Sequence, residues 1–133
     1  MLYQGGVRLK IYKTRPFVRF CIKNDISDTS LDDAVVRLLR GQIDAILGGG
    51  LIKQRIPRLN EGRSGGFRSV IVYLEGRHAT FAFGFAKNER ANINKTELAA
   101  LKLFAETLSS FKKADWDRAI QLKELFEVTS DGS

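Results

Sequence analysis

The sequence predicts a small α+β domain, and three observations carry that reading. Residues Gly48 to Arg90 alternate and break as two or three adjacent strands would. A capped amphipathic stretch from Ser27 to Gly41 precedes them, and a better capped one follows from Asn94. Helices grouped on either side of a run of strands, rather than alternating with them singly, belong to segregated layers. At 133 residues the chain fits one domain, residues 1–128, followed by a tail, 129–133, expected to be disordered.

Taken in order, residues Met1 to Gly6 read as a loose lead-in. Val7, Leu9 and Ile11 then alternate with Arg8, Lys10 and Tyr12 at a period of two, a half-buried strand. Pro16 suits the first turn of a short helix through Phe17, Phe20 and Cys21, where a missing N–H costs nothing, and Asn24 and Asp25 end it. Ser27 can cap the next helix, with Ile26 and Leu31 as its hydrophobic staple. Leu31, Ala34, Val35, Leu38 and Leu39 form its apolar stripe and Gly41 stops it. Ile43 to Leu47 is a short apolar patch.

Gly48, Gly49 and Gly50 allow positive φ and suit a sharp bend into the next strand or an anion nest. No Gly-Lys-Ser/Thr follows, so they are not a phosphate loop. Leu51, Lys53 and Arg55 alternate with Ile52, Gln54 and Ile56, which gives that strand a basic face and an apolar face, and Pro57 ends it. A polar loop runs from Arg58 to Gly66. Phe67 to Leu74 is apolar on both faces apart from Arg68 and Ser69, as a central strand would be. Glu75, Gly76 and Arg77 turn the chain, and Ala79 to Ala86 returns antiparallel. Strict alternation would set Phe81, Phe83 and Phe85 on one face, and Thr80, Ala82, Gly84 and Ala86 on the other, leaving a shallow concavity lined by small residues.

Asn94, with Glu97 three residues on, is a capping-box signature, and Leu98, Leu101, Phe104, Ala105, Leu108 and Phe111 make the stripe that follows. Asp115 to Leu122 reads as another short helix with Trp116, Ala119 and Ile120 inward, and Leu125 to Val128 as an edge strand.

Charge narrows the function. The chain carries +7 at neutral pH with a pI near 9.8, which favours a polyanionic partner. From Leu51 to Arg90, Lys53, Arg55, Arg58, Arg63, Arg68, Arg77, Lys87 and Arg90 face only Glu61, Glu75 and Glu89, a net +5. A single Cys21 permits neither an intramolecular disulfide nor a zinc knuckle, and reads as a buried small residue in a reducing cytosol. No apolar run reaches the roughly 18 residues of a spanning helix, and the N-terminus MLYQGGVRLK has no signal-peptide core. The expectation is a cytoplasmic protein with no membrane partner.

His78 is the only histidine and the carboxylates lack metal-ligand spacing, so no metal and no cofactor is expected. His78 reads as a surface turn residue and Tyr73 as a core or interface aromatic. A Lys and Arg cluster at strand ends can stabilise the extra charge of a pentacoordinate phosphorane, and a crowded lysine can act as a base. RNA brings its own nucleophile, the 2′-hydroxyl. Metal-free cleavage to a 2′,3′-cyclic phosphate and a 5′-hydroxyl then needs only basic side chains in the right places.

The stretches GGGLIKQR, GRSGGFRSVIVY and FAFGFAKNERANI, followed by a capped helix, resemble the RelE/ParE superfamily of toxins from type II toxin–antitoxin systems, in particular a HigB-like branch of the RelE type. The resemblance implies two N-terminal helices packed on a mostly antiparallel sheet. It also implies an mRNA interferase, an endoribonuclease that cuts messenger RNA on the translating ribosome. Such a toxin is silenced by a cognate antitoxin, and operator DNA is met only through the antitoxin complex. By this resemblance Arg68 contacts the scissile phosphate, Lys53 and Arg55 supply charge and a general base, with Lys53 favoured as the base, and Lys87 completes the catalytic set. Arg58, Arg63, Arg77 and Arg90 are the expected RNA-binding residues. Asn88 stands where active members carry an arginine, and Ile93 and Asn94 where they carry a tyrosine, which leaves the general acid unassigned and gives Arg63 a compensating role. The competing expectations are a ParE-like toxin acting by protein binding, on a topoisomerase for example, and a catalytically inactive regulatory module.

Overall fold

The computed structural model describes residues 2–4, 7–58 and 66–129. Strands β1 (Leu2–Gln4) and β2 (Val7–Thr14) come first, then helices α1 (Arg15–Asn24) and α2 (Asp28–Leu39). Strands β3 (Ala45–Gly48), β4 (Leu51–Ile56), β5 (Phe67–Leu74) and β6 (His78–Ala86) follow, and then α3 (Lys95–Ser109), α4 (Lys113–Gln121) and β7 (Leu125–Glu127). The sheet order is β1-β2-β6-β5-β4-β3, with β7 pairing β2 beside β1. All pairs are antiparallel except β2 with β6, where Lys10 to Lys13 run parallel to His78 to Phe81. This is the expected α+β architecture. The lead-in expected to be loose instead contains β1, whose Leu2 to Gln4 pair with Val7 to Leu9.

The helices begin and end where local chemistry directs. Thr14 caps α1 by accepting from the Phe17 N–H, Pro16 lies in the first turn, and Asp25 ends the helix in the left-handed conformation. Ser27 caps α2 by accepting from Ser30. Asn94 and Glu97 form the full reciprocal capping box of α3. Gly48, Gly49 and Gly50 all have positive φ and turn β3 into β4, so the glycine run is a hairpin bend.

Two cores sandwich the sheet. On one face α1 and α2 bury Phe17, Cys21, Leu31, Ala34 and Val35 against Leu9, Ile11, Ile52, Ile56, Phe67, Ile71 and Phe81. Burial pushes the Cys21 thiol up to about 11, in keeping with a packing role. On the other face α3 and α4 bury Leu101, Ala105, Leu108, Trp116 and Ala119 against Tyr12, Leu51, Val70, Val72 and Ala82. Tyr12, expected on the polar face of a half-buried strand, is 1% exposed, because α4 covers the second face of β2. Thr129, expected to begin a disordered tail, is instead held: its N–H and hydroxyl donate to Asp28 Oδ2. Residues 130–133 lie outside the described residues.

One irregularity corrects the expected alternation. Val70 pairs with Phe83 but Ile71 pairs with Phe81, so Ala82 is an extra residue in β6, a β-bulge. The bulge flips the strand's phase. Phe81 packs under α1 and α2, while Phe83 packs on the α3 face. The concavity expected along the small residues is filled: a Cβ on Gly84 would lie 2.5 Å from the Phe20 ring. Thr14 Oγ1 donates to the Ala82 carbonyl, which ties the bulge to the α1 cap.

Candidate active site

Strand register decides which basic side chains meet. In β4, Leu51, Lys53 and Arg55 share the α3 face, as their alternation predicts, because Leu51 packs in that core and Ile52 and Ile56 in the opposite one. In β5 the same face carries Arg68, Val70 and Val72. Arg55 lies directly opposite Arg68, and Lys53 opposite Val70. Across the next pairing, Arg68 faces Phe85 and Val70 faces Phe83. A patch of three cations therefore adjoins two aromatic rings at one end of the sheet.

Like charges in neighbouring cross-strand positions repel, and Asp44, just before β3, compensates. Its Oδ2 lies 3.2 Å from Arg68 Nε and 4.0 Å from Lys53 Nζ. The side chains of Arg68 and Lys53 are 15% and 16% exposed, and that of Asp44 is 32%, so the trio is shielded but reachable. A second network holds Asp44 in place. Gln54, on the opposite face of β4 and 1% exposed, accepts from the Asp44 N–H and donates to the carbonyls of Gln42 and Ala34. Ser69 Oγ donates to the Gln54 carbonyl at 3.0 Å, and Arg37 donates to the Arg55 carbonyl at 2.8 Å.

The remaining candidates distribute unevenly. Lys87 follows β6 at the same end of the sheet, with its N–H donated to the Gly66 carbonyl and its Nζ 3.4 Å from the Ala91 carbonyl. Gly66 is confined there: its φ is +67° and a Cβ would sit 3.2 Å from the Ile56 carbonyl oxygen. Arg90 lies over the Phe83 and Phe85 rings at 5.7 and 5.4 Å, pairs with Glu97 through two guanidinium nitrogens and donates to the Asn92 carbonyl. Its hydrogen bond holds the Glu97 carboxyl below the ordinary range, so Arg90 joins the turn after β6 to the α3 capping box. Arg58 stacks on Phe67 at 4.5 Å. Arg63 and most of the loop from Arg58 to Gly66 lie outside the described residues. Arg77 is at the β5–β6 turn, the opposite end of the sheet, about 20 Å of strand from Arg68.

His78 is not the surface turn residue its neighbours imply. It begins β6 and stacks on Trp116 at 4.1 Å, with Tyr12 alongside on β2. Its Nδ1 is buried without a hydrogen-bond partner, and burial, with the charges of Arg77 and Lys10, pushes its pKa down to about 4. Tyr73 packs as a partly buried aromatic against the α1–α2 core, in line with its expected core role.

Asp44 and Gln54 were not among the sequence candidates. Gln54 left one trace, a polar residue between Ile52 and Ile56 on the apolar face of β4. Asp44 left none, because it reaches Lys53 and Arg68 only through the β3–β4–β5 register.

A family profile described as the RelE toxin of the RelE / RelB toxin-antitoxin system matches residues 9–128. The chain belongs to the RelE toxin family. It is thus the toxin of a toxin–antitoxin pair, and its protein partner is an antitoxin. No curated protein matches the chain. The match spans both layers of helices and every strand from β2 to β7, so the Lys53–Arg55–Arg68 patch and its Asp44 counter-ion all lie within the RelE domain. Among the described residues of this RelE-family toxin, no helix is long and apolar enough to cross a membrane, and no group of three His, Cys, Asp or Glu could hold a metal ion.

Proposed function

We propose that this toxin is a metal-independent endoribonuclease that cuts mRNA on the ribosome, in the cytoplasm, until its antitoxin occupies the site. The observation carrying this reading is the convergence of Lys53, Arg55 and Arg68 on one sheet face, with Arg55 opposite Arg68. Three cations on rigid strands suit a phosphodiester, since fixed positive charge counts most where charge develops in the transition state. Arg68 binds the scissile phosphate, Lys53 and Arg55 neutralise the phosphorane, and Lys87 extends the charge along the RNA backbone. A charge of +7 would also steer an acidic antitoxin segment to the same groove.

The test is to induce the toxin in cells lacking antitoxin and to map new 5′ ends across the transcriptome, with Arg68→Ala alongside. In-frame cuts that vanish in the variant are the expected result. Growth arrest with intact mRNA would replace this reading with a toxin that acts by binding a protein; no arrest would leave a regulatory module.

A further inference from the structure

We propose that Asp44 is the general base of this site, taking the 2′-hydroxyl proton, and that Lys53 beside it protonates the leaving 5′-oxygen. The inference rests on the ribonuclease reading above. Arginine and a protonated lysine only donate hydrogen bonds, so a site of Lys53, Arg55 and Arg68 alone has no acceptor for that proton. Asp44 supplies one. It stands between Lys53 and Arg68 at 4.0 and 3.2 Å, both contacts made through Oδ2, and its side chain is 32% exposed. A phosphate bound by Lys53 and Arg68 would lie against this carboxylate.

A carboxylate serving only to quiet surplus charge has no need of rigid placement, since long-range attraction tolerates movement. Asp44 is placed by a buried amide. Gln54 accepts from its N–H and anchors Gln42 and α2 through its own amide protons. Such second contacts, fixing the backbone of a reactive residue at the point where the chain enters a strand, are those that a proton-transfer site needs.

The step balances. Asp44 Oδ1 takes the proton from the 2′-hydroxyl, the 2′-oxygen attacks phosphorus, and the bond from phosphorus to the 5′-oxygen breaks. The 5′-oxygen takes a proton from the Lys53 ammonium. The products are a 2′,3′-cyclic phosphate and a 5′-hydroxyl, and the Asp44 proton returns to Lys53 directly or through water. Arg68 and Arg55 remain charged throughout.

The experiment compares wild-type toxin, Asp44→Asn and Asp44→Ala, each freed from co-expressed antitoxin and checked for folding by circular dichroism. Cleavage is followed in a translating extract, and binding with a non-cleavable 2′-O-methyl RNA. Asp44→Asn should cut at least about a hundredfold more slowly, in the range that a positioned base supplies. It should bind the methylated RNA as tightly or more tightly, because a negative charge has left the cluster. Added formate should restore part of the cleavage by Asp44→Ala, which a purely structural role cannot explain. Asp44→Asn cutting within about tenfold of wild type, or no rescue by formate, would make Asp44 a counter-ion only and leave the ribonuclease reading standing. If the asparagine variant does not fold, the alanine variant with formate decides. Folded wild-type toxin that cuts no RNA would overturn the ribonuclease reading, and this inference with it.

Discussion

The two ends of strand β6 hold similar residue types and put them to opposite uses. At the Ala86 end, Lys53, Arg55 and Arg68 gather on one face around Asp44, with Phe83 and Phe85 alongside. At the His78 end, Lys10 and Arg77 flank a recess of about 250 Å³ whose lining includes Tyr12, Trp116, Asp117 and Glu127. The first end keeps its cations near a carboxylate and within reach of solvent. The second stacks its imidazole on an indole, so that a ring which could have taken part in acid–base chemistry is held neutral. Charge alone does not mark a site; what packs over the charge does.

Several substitutions would break or sharpen this contrast. The largest effect belongs to the stacked end. Trp116→Ala removes the ring that covers Tyr12 and His78 and should cost about 3–5 kcal/mol of stability, read from urea unfolding. A loss under about 1 kcal/mol would mean that the stack is surface decoration. At the cationic end, Arg68→Ala should slow RNA cleavage about a hundredfold or more and leave the melting temperature within a few degrees. Slower cleavage with a collapsed melting temperature would instead make Arg68 a structural residue.

The bulge can be probed through its neighbour. Gly84→Ala brings a Cβ within 2.5 Å of the Phe20 ring and should cost about 1–3 kcal/mol. Unchanged stability would show that Phe20 swings away freely.

A smaller effect follows from His78. Its pKa in the folded protein, about 4, lies below the ordinary 6.5, so on acidification the unfolded chain takes up the proton first. Stability is then undiminished above about pH 6.5 and is lost as pH falls through about 4. Melting scans across that window should show a fall that His78→Phe reduces, whereas equal falls in both proteins would assign it to other groups. The smallest effect is Arg77→Ala, which should leave cleavage within about twofold because the residue lies roughly 20 Å of strand from Arg68. A larger loss would extend the RNA path to the stacked end.

What the sequence disclosed follows the range of the physics involved. Ser27, Asn94 and Glu97 announce their helices because a cap is settled within four residues. The basic face of β4 was legible because Leu51, Lys53 and Arg55 alternate against Ile52 and Ile56 within one strand. The facing of Phe83 and Phe85 was not, since the bulge at Ala82 exists only in the pairing with Val70 and Ile71. Tyr12 reads as the polar side of a half-buried strand and His78 as a surface turn residue because α4, whose Trp116 stacks on both, comes later in the chain and carries its own pattern. Asp44 and Gln54 escaped for the same reason: three segments must be in register before a carboxylate at one, an amide at another and an arginine at the third become neighbours.

The parallel pairing of β2 with β6 also sets a schedule for the chain. Strands β3 to β6 can zip as successive hairpins while they are being made, but β2 has no partner inside the sheet until His78 to Phe81 exist, and no outer neighbour at Tyr12 to Thr14 until β7 arrives. Arg15 then fastens the closure by donating to the carbonyls of Leu122 and Lys123. Contacts so distant along the chain form late and slowly. The sheet of the nascent toxin therefore stays unfinished until β7 is made, an interval in which an antitoxin already present can meet it before its fold is complete.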